Sequence, residues 1–119
     1  MSEVVHVKKN SLEFSPFGGD ENEGKAWLAR VVDGDLSKTM GAGILHLNGC
    51  DISWTLRYDE VCVVLSGNFL LHVGSDVLSA GPGDIIWIPK NTKVSYSGEG
   101  AEVFYALYPV DWSTRATDA

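Results

Sequence analysis

Short apolar segments, rich in β-branched and aromatic residues and separated by Gly, Asn, Asp or Ser, recur along most of the chain. Segments bounded in this way are typical of β-strands, and no stretch of ten residues shows the helical period. Many short strands at this spacing favour a sandwich or barrel over a sheet with alternating helices. The pattern predicts strands at Val4–Val7, Ala26–Val32, Gly43–Leu47, Ile52–Arg57, Val61–Leu65, Phe69–Val73, Val77–Leu78, Asp84–Ile88, Lys93–Tyr96 and Glu102–Tyr108.

Three segments between the predicted strands carry turn or loop signals. Ser66-Gly67-Asn68 joins two predicted strands, and its Gly and Asn accept the positive φ angles of a tight hairpin. Gly81-Pro82-Gly83-Asp84 has Pro at the second and Gly at the third position, as a type II turn requires. The polar, glycine-rich stretch from Gly18 to Lys25 is predicted to be a surface loop.

The composition is that of a globular protein and limits the possible partners. Hydrophobic residues make up 45% of 119 residues, which leaves room for one core, and the net charge is −7. Binding to nucleic acids or to anionic membranes requires clustered Lys and Arg. This acidic excess therefore disfavours both kinds of partner. No bilayer-spanning apolar run or signal-peptide pattern is visible, and Cys50 and Cys62 fit a buried reduced pair, so we expect a cytoplasmic protein.

The expected domain organisation is simple. We predict one domain over residues 1–119 with its core at about 26–112, and a polar tail, 113–119, that frays. Trp87 is expected to lie in the core. Because small barrels with apolar outer faces commonly pair, we also predict a homodimer, which the N-terminal strand is free to join by exchange.

Two spaced motifs frame the middle of the chain. Six residues separate Glu60 from Gly67, five separate Gly83 from Pro89, and 15 separate the two glycines. In this order and at this spacing, the segments resemble the two motifs of the cupin superfamily. The resemblance implies an all-β fold, the cupin-type double-stranded β-helix or jelly-roll barrel. Glycines at these places also suit a barrel, because its strands must fold back without leaving open edges.

The residues that bind metal in ordinary cupins are mostly replaced here. The two motif histidines before Glu60 correspond to Trp54 and Leu56, and the histidine after Pro89 corresponds to Val94. One carboxylate cannot hold a first-row metal, which needs three or four protein donors. We therefore expect no metal in the usual cupin site and no cofactor.

Four further segments carry a narrower resemblance. They are Met40-Gly41-Ala42-Gly43, Trp54-Thr55-Leu56-Arg57-Tyr58-Asp59-Glu60, Ile88-Pro89-Lys90 and Tyr108-Pro109-Val110-Asp111-Trp112. Together they are similar to the ethanolamine-utilisation protein Q group of cupins, which also lacks the three metal histidines. The resemblance implies a place in the microcompartment pathway that degrades ethanolamine and an acetate-kinase-like activity, and longer members of the group carry an N-terminal extension.

Strand alternation indicates which side chains meet inside such a barrel. If Glu60 faces inward, Cys62 shares its face, and Trp54 and Leu56 point into the same cavity. Because apolar walls favour the protonated carboxyl, Glu60 is a candidate general acid or base or a ligand contact, or else a structural carboxylate. An apolar pocket raises a thiol pKa, so Cys62 fits inert packing better than a nucleophile.

Three more candidates have orientations that the sequence leaves open. His46 points either inward or to solvent, because a shift of one residue in register reverses its face. Tyr96 and Tyr105 either line the cavity, where a phenol would supply a donor beside Glu60, or are core aromatics with surface hydroxyls. His46 and Glu60 with a further donor would form an atypical metal site.

The favoured function is a metal-free cupin, similar to the protein Q group, that binds a small organic molecule in its barrel, with acid–base chemistry at Glu60 as an option. One alternative is a non-catalytic dimeric module whose barrel is filled by core side chains. The other is a metal-dependent enzyme that uses His46 and Glu60. The sequence contains no G-x-x-x-x-G-K-[ST] phosphate loop and no G-x-S-x-G nucleophile elbow.

Overall fold

Antiparallel strands make up most of residues 3–115, the part of the chain that a computed structural model describes. Within this part there are eight strands and three short 3-10 turns, so the all-β prediction is confirmed. The strands are β1 (Ser15–Pro16), β2 (Ala26–Val32), β3 (Gly41–Leu47), β4 (Ile52–Thr55), β5 (Asp59–Val73), β6 (Asp76–Ala80), β7 (Ile85–Ile88) and β8 (Lys93–Tyr108). The turns are Lys9–Ser11, Asp20–Asn22 and Trp112–Thr114.

The sheet folds back on itself through its two long strands. Its order is β1-β2-β3-β8-β5-β6, with β4 paired to β8 and β7 paired to β5. The first part of β8 pairs with β4, whereas its later part pairs with β3. In the same way, β5 pairs first with β7 and then with β6. Because β5 and β8 each continue from one set of partners to another, they form parts of two facing walls.

The core lies between these walls and follows the alternation of the strands. In β3, every second residue from Gly41 to Leu47 is buried. The start of β5 buries Glu60, Cys62 and Val64 on one face. The largest fully buried side chains are Phe69, Leu47, Leu56, Leu71, Val64, Val103 and Cys62. Full burial of one such aliphatic side chain stabilises the fold by about 1.5–3 kcal/mol.

The prediction of a hairpin at Ser66-Gly67-Asn68 is wrong, because strand β5 continues through this segment. Gly67 does have a positive φ, 73°, but the register of β5 against β8 shifts on both sides of Ser66. The glycine therefore serves a β-bulge that bends a continuous strand from one wall into the other. The predicted strands on either side of Gly100 are likewise one strand, β8.

Other predictions had mixed outcomes. The type II turn at Gly81–Asp84 is confirmed: Gly83 has φ 89°, and the Asp84 N–H donates to the Gly81 carbonyl at 3.0 Å.

The strand predicted at Val4–Val7 is not formed, and this segment is exposed and irregular. Of the predicted frayed tail, residues 116–119 lie outside the described part. Before them, Trp112–Thr114 forms a 3-10 turn. No helix among residues 3–115 is long and apolar enough to cross a membrane.

Candidate functional site

A cavity of about 380 Å³ lies between the two walls. Strands β2, β3, β4, β5 and β8 contribute to its lining, together with the segment before β2 and the 3-10 turn after β8. Most of the lining is apolar or aromatic, and its charged members among the described residues are Arg30 and Glu60. The lining residues are Phe17, Gly18, Leu28, Arg30, Leu45, Ile52, Ser53, Trp54, Tyr58, Glu60, Tyr96, Tyr105, Leu107 and Trp112.

Glu60 is the polar centre of this cavity. It is only 4% exposed, and it is the one charged side chain among residues 3–115 that is buried. The Tyr96 hydroxyl donates a hydrogen bond of 2.9 Å to Glu60 Oε1. Burial raises the pKa of Glu60 to about 7, although hydrogen bonds from Tyr96 and Cys62 lower it. Near neutral pH, both the carboxylic acid and the carboxylate are therefore populated.

Tyrosine hydroxyls surround this carboxyl. Burial, and then the charge of Glu60, raise the pKa of Tyr58 and of Tyr96 well above the ordinary phenol range. Burial raises the pKa of Tyr105 to about 12, although the nearby Arg30 lowers it. All three phenols consequently remain protonated at neutral pH and can donate hydrogen bonds in the cavity.

Three aromatic rings form one side of the cavity, and we call Trp54, Tyr58 and Trp112 the aromatic triad. Trp54 Nε1 donates to the Tyr58 hydroxyl at 3.0 Å, which links strand β4 to the residue just before β5. The Trp54 and Trp112 ring centroids are 5.6 Å apart at 73°, and those of Tyr58 and Trp112 are 5.2 Å apart at 51°. The Arg57 guanidinium lies 5.7 Å from the Trp112 centroid. The triad thus presents inclined ring faces rather than a flat stack.

The loop from Gly18 to Lys25 also helps to form the cavity wall. It is mostly exposed, as predicted, but Asn22 within it is buried. Its side-chain amide donates to the carbonyls of Gly18 and Asp51 and accepts the Asp51 N–H at 2.8 Å. These bonds attach the loop to the segment before β4 and hold Gly18 against the cavity.

The candidate residues from the sequence separate into two groups. Glu60, Trp54, Tyr96 and Tyr105 line the cavity. Leu56 and Cys62 are fully buried in the core and do not line it. Burial raises the pKa of the Cys62 thiol, and the adjacent Glu60 raises it further.

Of the two orientations that the sequence leaves open for His46, the structure has the outward one, so His46 does not line the cavity with Glu60. Leu45 and Leu47 are the buried residues of β3, and His46 between them points outward. Its Nε2 lies 2.9 Å from Glu102 Oε2, and its ring stacks on Phe14 at 4.2 Å. The geometry therefore does not bring His46 and Glu60 together as metal ligands.

The residues present also do not fit the metal of ordinary cupins. Trp54, Leu56 and Val94, at the three histidine positions, offer no ligand atom suited to a first-row metal. Among residues 3–115, no three His, Cys, Asp or Glu side chains are grouped so that they could hold an ion.

Several cavity residues were missed from the sequence. The position of Tyr58 can be predicted, because it stands two positions before Glu60 and alternation places both side chains on one face. Leu28 and Leu45 could be found in the same way once the pairing of β2 with β3 is known. Trp112 has no such signal, because it reaches the cavity from a 3-10 turn beyond the last strand.

The two-walled antiparallel sheet with a cavity between its walls has the architecture of the cupin class of barrels. An RmlC-like cupin from Shewanella frigidimarina NCIMB 400 has this fold: its structure has a TM-score of 0.70 to this chain at 16% identity, over 92% of this chain and 95% of that one. The Clostridium difficile EutQ protein is more similar in sequence, with 25% identity, a TM-score of 0.79 and coverage of 93% and 84%. The predicted cupin fold is confirmed.

Within this class, the family model described as "Ethanolamine utilisation protein EutQ" matches residues 2–114, and the chain belongs to that family. A curated relative, "Acetate kinase EutQ" from Escherichia coli (strain K12), is 29% identical over 109 residues, which are 91% of this chain and 46% of the relative. The chain spans about half the length of the curated relatives that it matches.

Proposed function

We propose that the cavity binds a small organic molecule and that Glu60 and Tyr96 are its polar contacts. The observation that carries this proposal is the position of Glu60: a buried carboxyl that borders a space of about 380 Å³ with apolar and aromatic walls. A concave, largely apolar cavity with a few convergent polar groups is typical of small-molecule sites. The alternative of a barrel filled by core side chains is less well supported, because this volume admits a ligand of many heavy atoms.

The proposal extends to acid–base chemistry at Glu60. A general acid or base works best when its pKa is close to the working pH, and that of Glu60 is raised to about 7 by burial. As a carboxylic acid, Glu60 would give a proton to a bound molecule, and as a carboxylate it would accept one. Tyr96 holds Glu60 Oε1 and so orients the second oxygen relative to the ligand.

Membership of the EutQ family suggests that the ligand belongs to the chemistry of ethanolamine breakdown. The activity in the name of the curated relatives, acetate kinase, requires a site for a nucleotide phosphate chain. Phosphate groups are bound by clustered basic side chains or Gly-rich loops. Among the described residues that line the cavity, in contrast, Arg30 is the single basic residue. We therefore propose ligand binding, rather than phosphoryl transfer, as the role of this cavity.

The buried free cysteines support a cytoplasmic location.

A calorimetric screen tests this function. Small amines, carboxylic acids including acetate, sugars and ATP are titrated into the wild-type protein and into Glu60→Gln. We expect one small organic class to bind the wild-type protein, and binding to weaken at least tenfold in Glu60→Gln. Glu99→Gln is the matched control, since it removes the same charge from an exposed position. Equal binding by wild type and Glu60→Gln would exclude Glu60 as a ligand contact. If no compound binds, the non-catalytic module would be favoured.

We also propose that the protein forms a homodimer through an outer apolar face, defined by Val61, Val63, Ile85, Trp87 and Phe104. These residues lie on three adjacent strands, with Val61 opposite Trp87 and Val63 opposite both Ile85 and Phe104. Ile85 is 68% and Trp87 61% exposed. The face contains no charged residue, so two copies with a net charge of −7 each can meet there without opposing charges.

A further inference from the structure

We propose that the ligand of the cavity is a small organic cation, an alkylammonium compound whose charge lies between the Glu60 carboxylate and the ring faces of the aromatic triad. This inference rests on the proposed binding function and specifies its ligand class. Two features of the cavity, the aromatic walls and the unneutralised carboxyl, lead to it independently.

The aromatic walls are the first feature. Cations are attracted to the faces of Trp and Tyr rings, and sites for alkylated ammonium groups are commonly built from several rings inclined to one another. The aromatic triad has this arrangement, with interplanar angles of 73° and 51° about Trp112. Trp112 already accepts one cation, the Arg57 guanidinium at 5.7 Å from its centroid. The rings of Trp54 and Tyr58 also line the cavity.

The carboxyl of Glu60 is the second feature, because no basic side chain in the described part of the chain neutralises it. The influences on its pKa are burial and hydrogen bonds from Tyr96 and Cys62, and no basic side chain of residues 3–115 is among them. Arg30, the basic residue of the cavity lining, is exposed and acts on Tyr105. A buried carboxylate without an opposite charge is costly, and a cationic ligand would supply that charge.

The other groups that face Glu60 do not oppose this ligand. Cys62 on β5 and Tyr96 and Tyr105 on β8 remain neutral near pH 7, because burial raises their pKa values. Tyr58, just before β5, is neutral for the same reason. The net charge of −7 adds a potential that attracts cations to the protein. An anionic ligand, in contrast, would be repelled by the Glu60 carboxylate unless Glu60 first took up a proton from solvent.

The test compares cations with neutral molecules of the same shape by isothermal titration calorimetry at pH 8. The pairs are choline with 3,3-dimethylbutan-1-ol, and propylammonium with propan-1-ol. We expect the cation of at least one pair to bind at least tenfold more tightly than its neutral counterpart. Because both cations keep their charge between pH 5 and 8, the affinity should fall about tenfold for each pH unit below about 7, where Glu60 becomes protonated.

Two variants separate the contributions. Glu60→Gln should remove both the preference for the cation and its pH dependence, whereas the exposed control Glu99→Gln should retain them. Trp112→Leu should weaken the cation about fivefold and the neutral counterpart less, since it removes one ring face. Trp112→Leu and the pH profile of the wild-type protein provide the test even where Glu60→Gln does not fold.

The outcomes distinguish the two proposals. If the neutral molecules bind as tightly as the matched cations, or the affinity does not change with pH, the cation inference is overturned and the binding function stands. If no probe of any charge binds at millimolar concentration, both proposals are overturned. Tighter binding of a cation that depends on Glu60 supports both.

Discussion

Glu60 decides the chemistry of the site because its burial is destabilising whenever it is charged. Its folded-state pKa is raised from the ordinary 4.5 to about 7, so the folded protein holds the proton more tightly than the unfolded chain does. The stabilisation linked to this proton is present in full below about pH 4.5 and is lost as the pH rises to about 7. The shift corresponds to about 3 kcal/mol. A buried carboxylate that lowers the stability of the fold by this amount is better explained by a functional role than by a structural one.

The first stability prediction follows from this linkage. Glu60→Gln keeps the shape of the side chain but cannot ionise, so the variant should gain stability relative to wild type as the pH rises from 4.5 to 8. We expect the difference in the free energy of unfolding to change by about 3 kcal/mol over this range. Urea unfolding of both proteins at several pH values measures it, with Glu99→Gln as the control for loss of charge. A difference that is constant with pH would contradict the burial of a titrating Glu60.

At the residue scale, the sequence identified the carboxyl but only part of its surroundings. The motif spacing indicated Glu60, and alternation from it correctly placed Cys62 on the same face. Alternation could not decide the face of His46, because no motif set the register of β3. The ring of Trp112 was not foreseeable either, since its place depends on how the chain continues after β8.

At the element scale, the bulge at Gly67 is the feature that allows β5 to serve both walls. A Cβ at this position would collide with the backbone of Gly100, and the φ of 73° is unfavourable for other residues. The glycine in the sequence indicates a positive φ here. It does not show whether the chain reverses or only bends, because both uses require the same residue and only the pairing with β8 distinguishes them.

Two glycine substitutions test this interpretation. Gly67→Ala should lower the free energy of unfolding by about 3 kcal/mol, because left-handed strain adds to a collision with backbone atoms that cannot move aside. Gly74→Ala is the matched control: its φ is also positive, 60°, but an added Cβ would have no heavy atom within 4 Å. It should cost only about 1 kcal/mol. Equal losses in urea unfolding would show that Gly67 matters for its φ alone.

At the scale of the whole molecule, each wall has an inner face that forms the core and cavity. Its outer face is exposed unless a partner covers it. The sequence predicted Trp87 in the core, but the residue is 61% exposed, because β7 alternates and buries Ile88 instead. A continuous apolar run such as β7 does not reveal which of its residues face inward. The misplacement itself indicates the outer apolar face, since an exposed Trp surrounded by Val, Ile and Phe is unusual on a monomer.

The homodimer prediction is tested at this face. A lysine at its centre would be buried without a counter-charge in the dimer and opposed by its symmetry copy, so Ile85→Lys should shift the protein to a monomer at micromolar concentration. Val77→Lys is the matched control, because Val77 is 54% exposed on β6, outside the outer apolar face. Sedimentation velocity of wild type and both variants measures the shift. A wild-type protein that is monomeric at micromolar concentration would contradict the dimer, and a dimer that Ile85→Lys leaves intact would place the interface elsewhere.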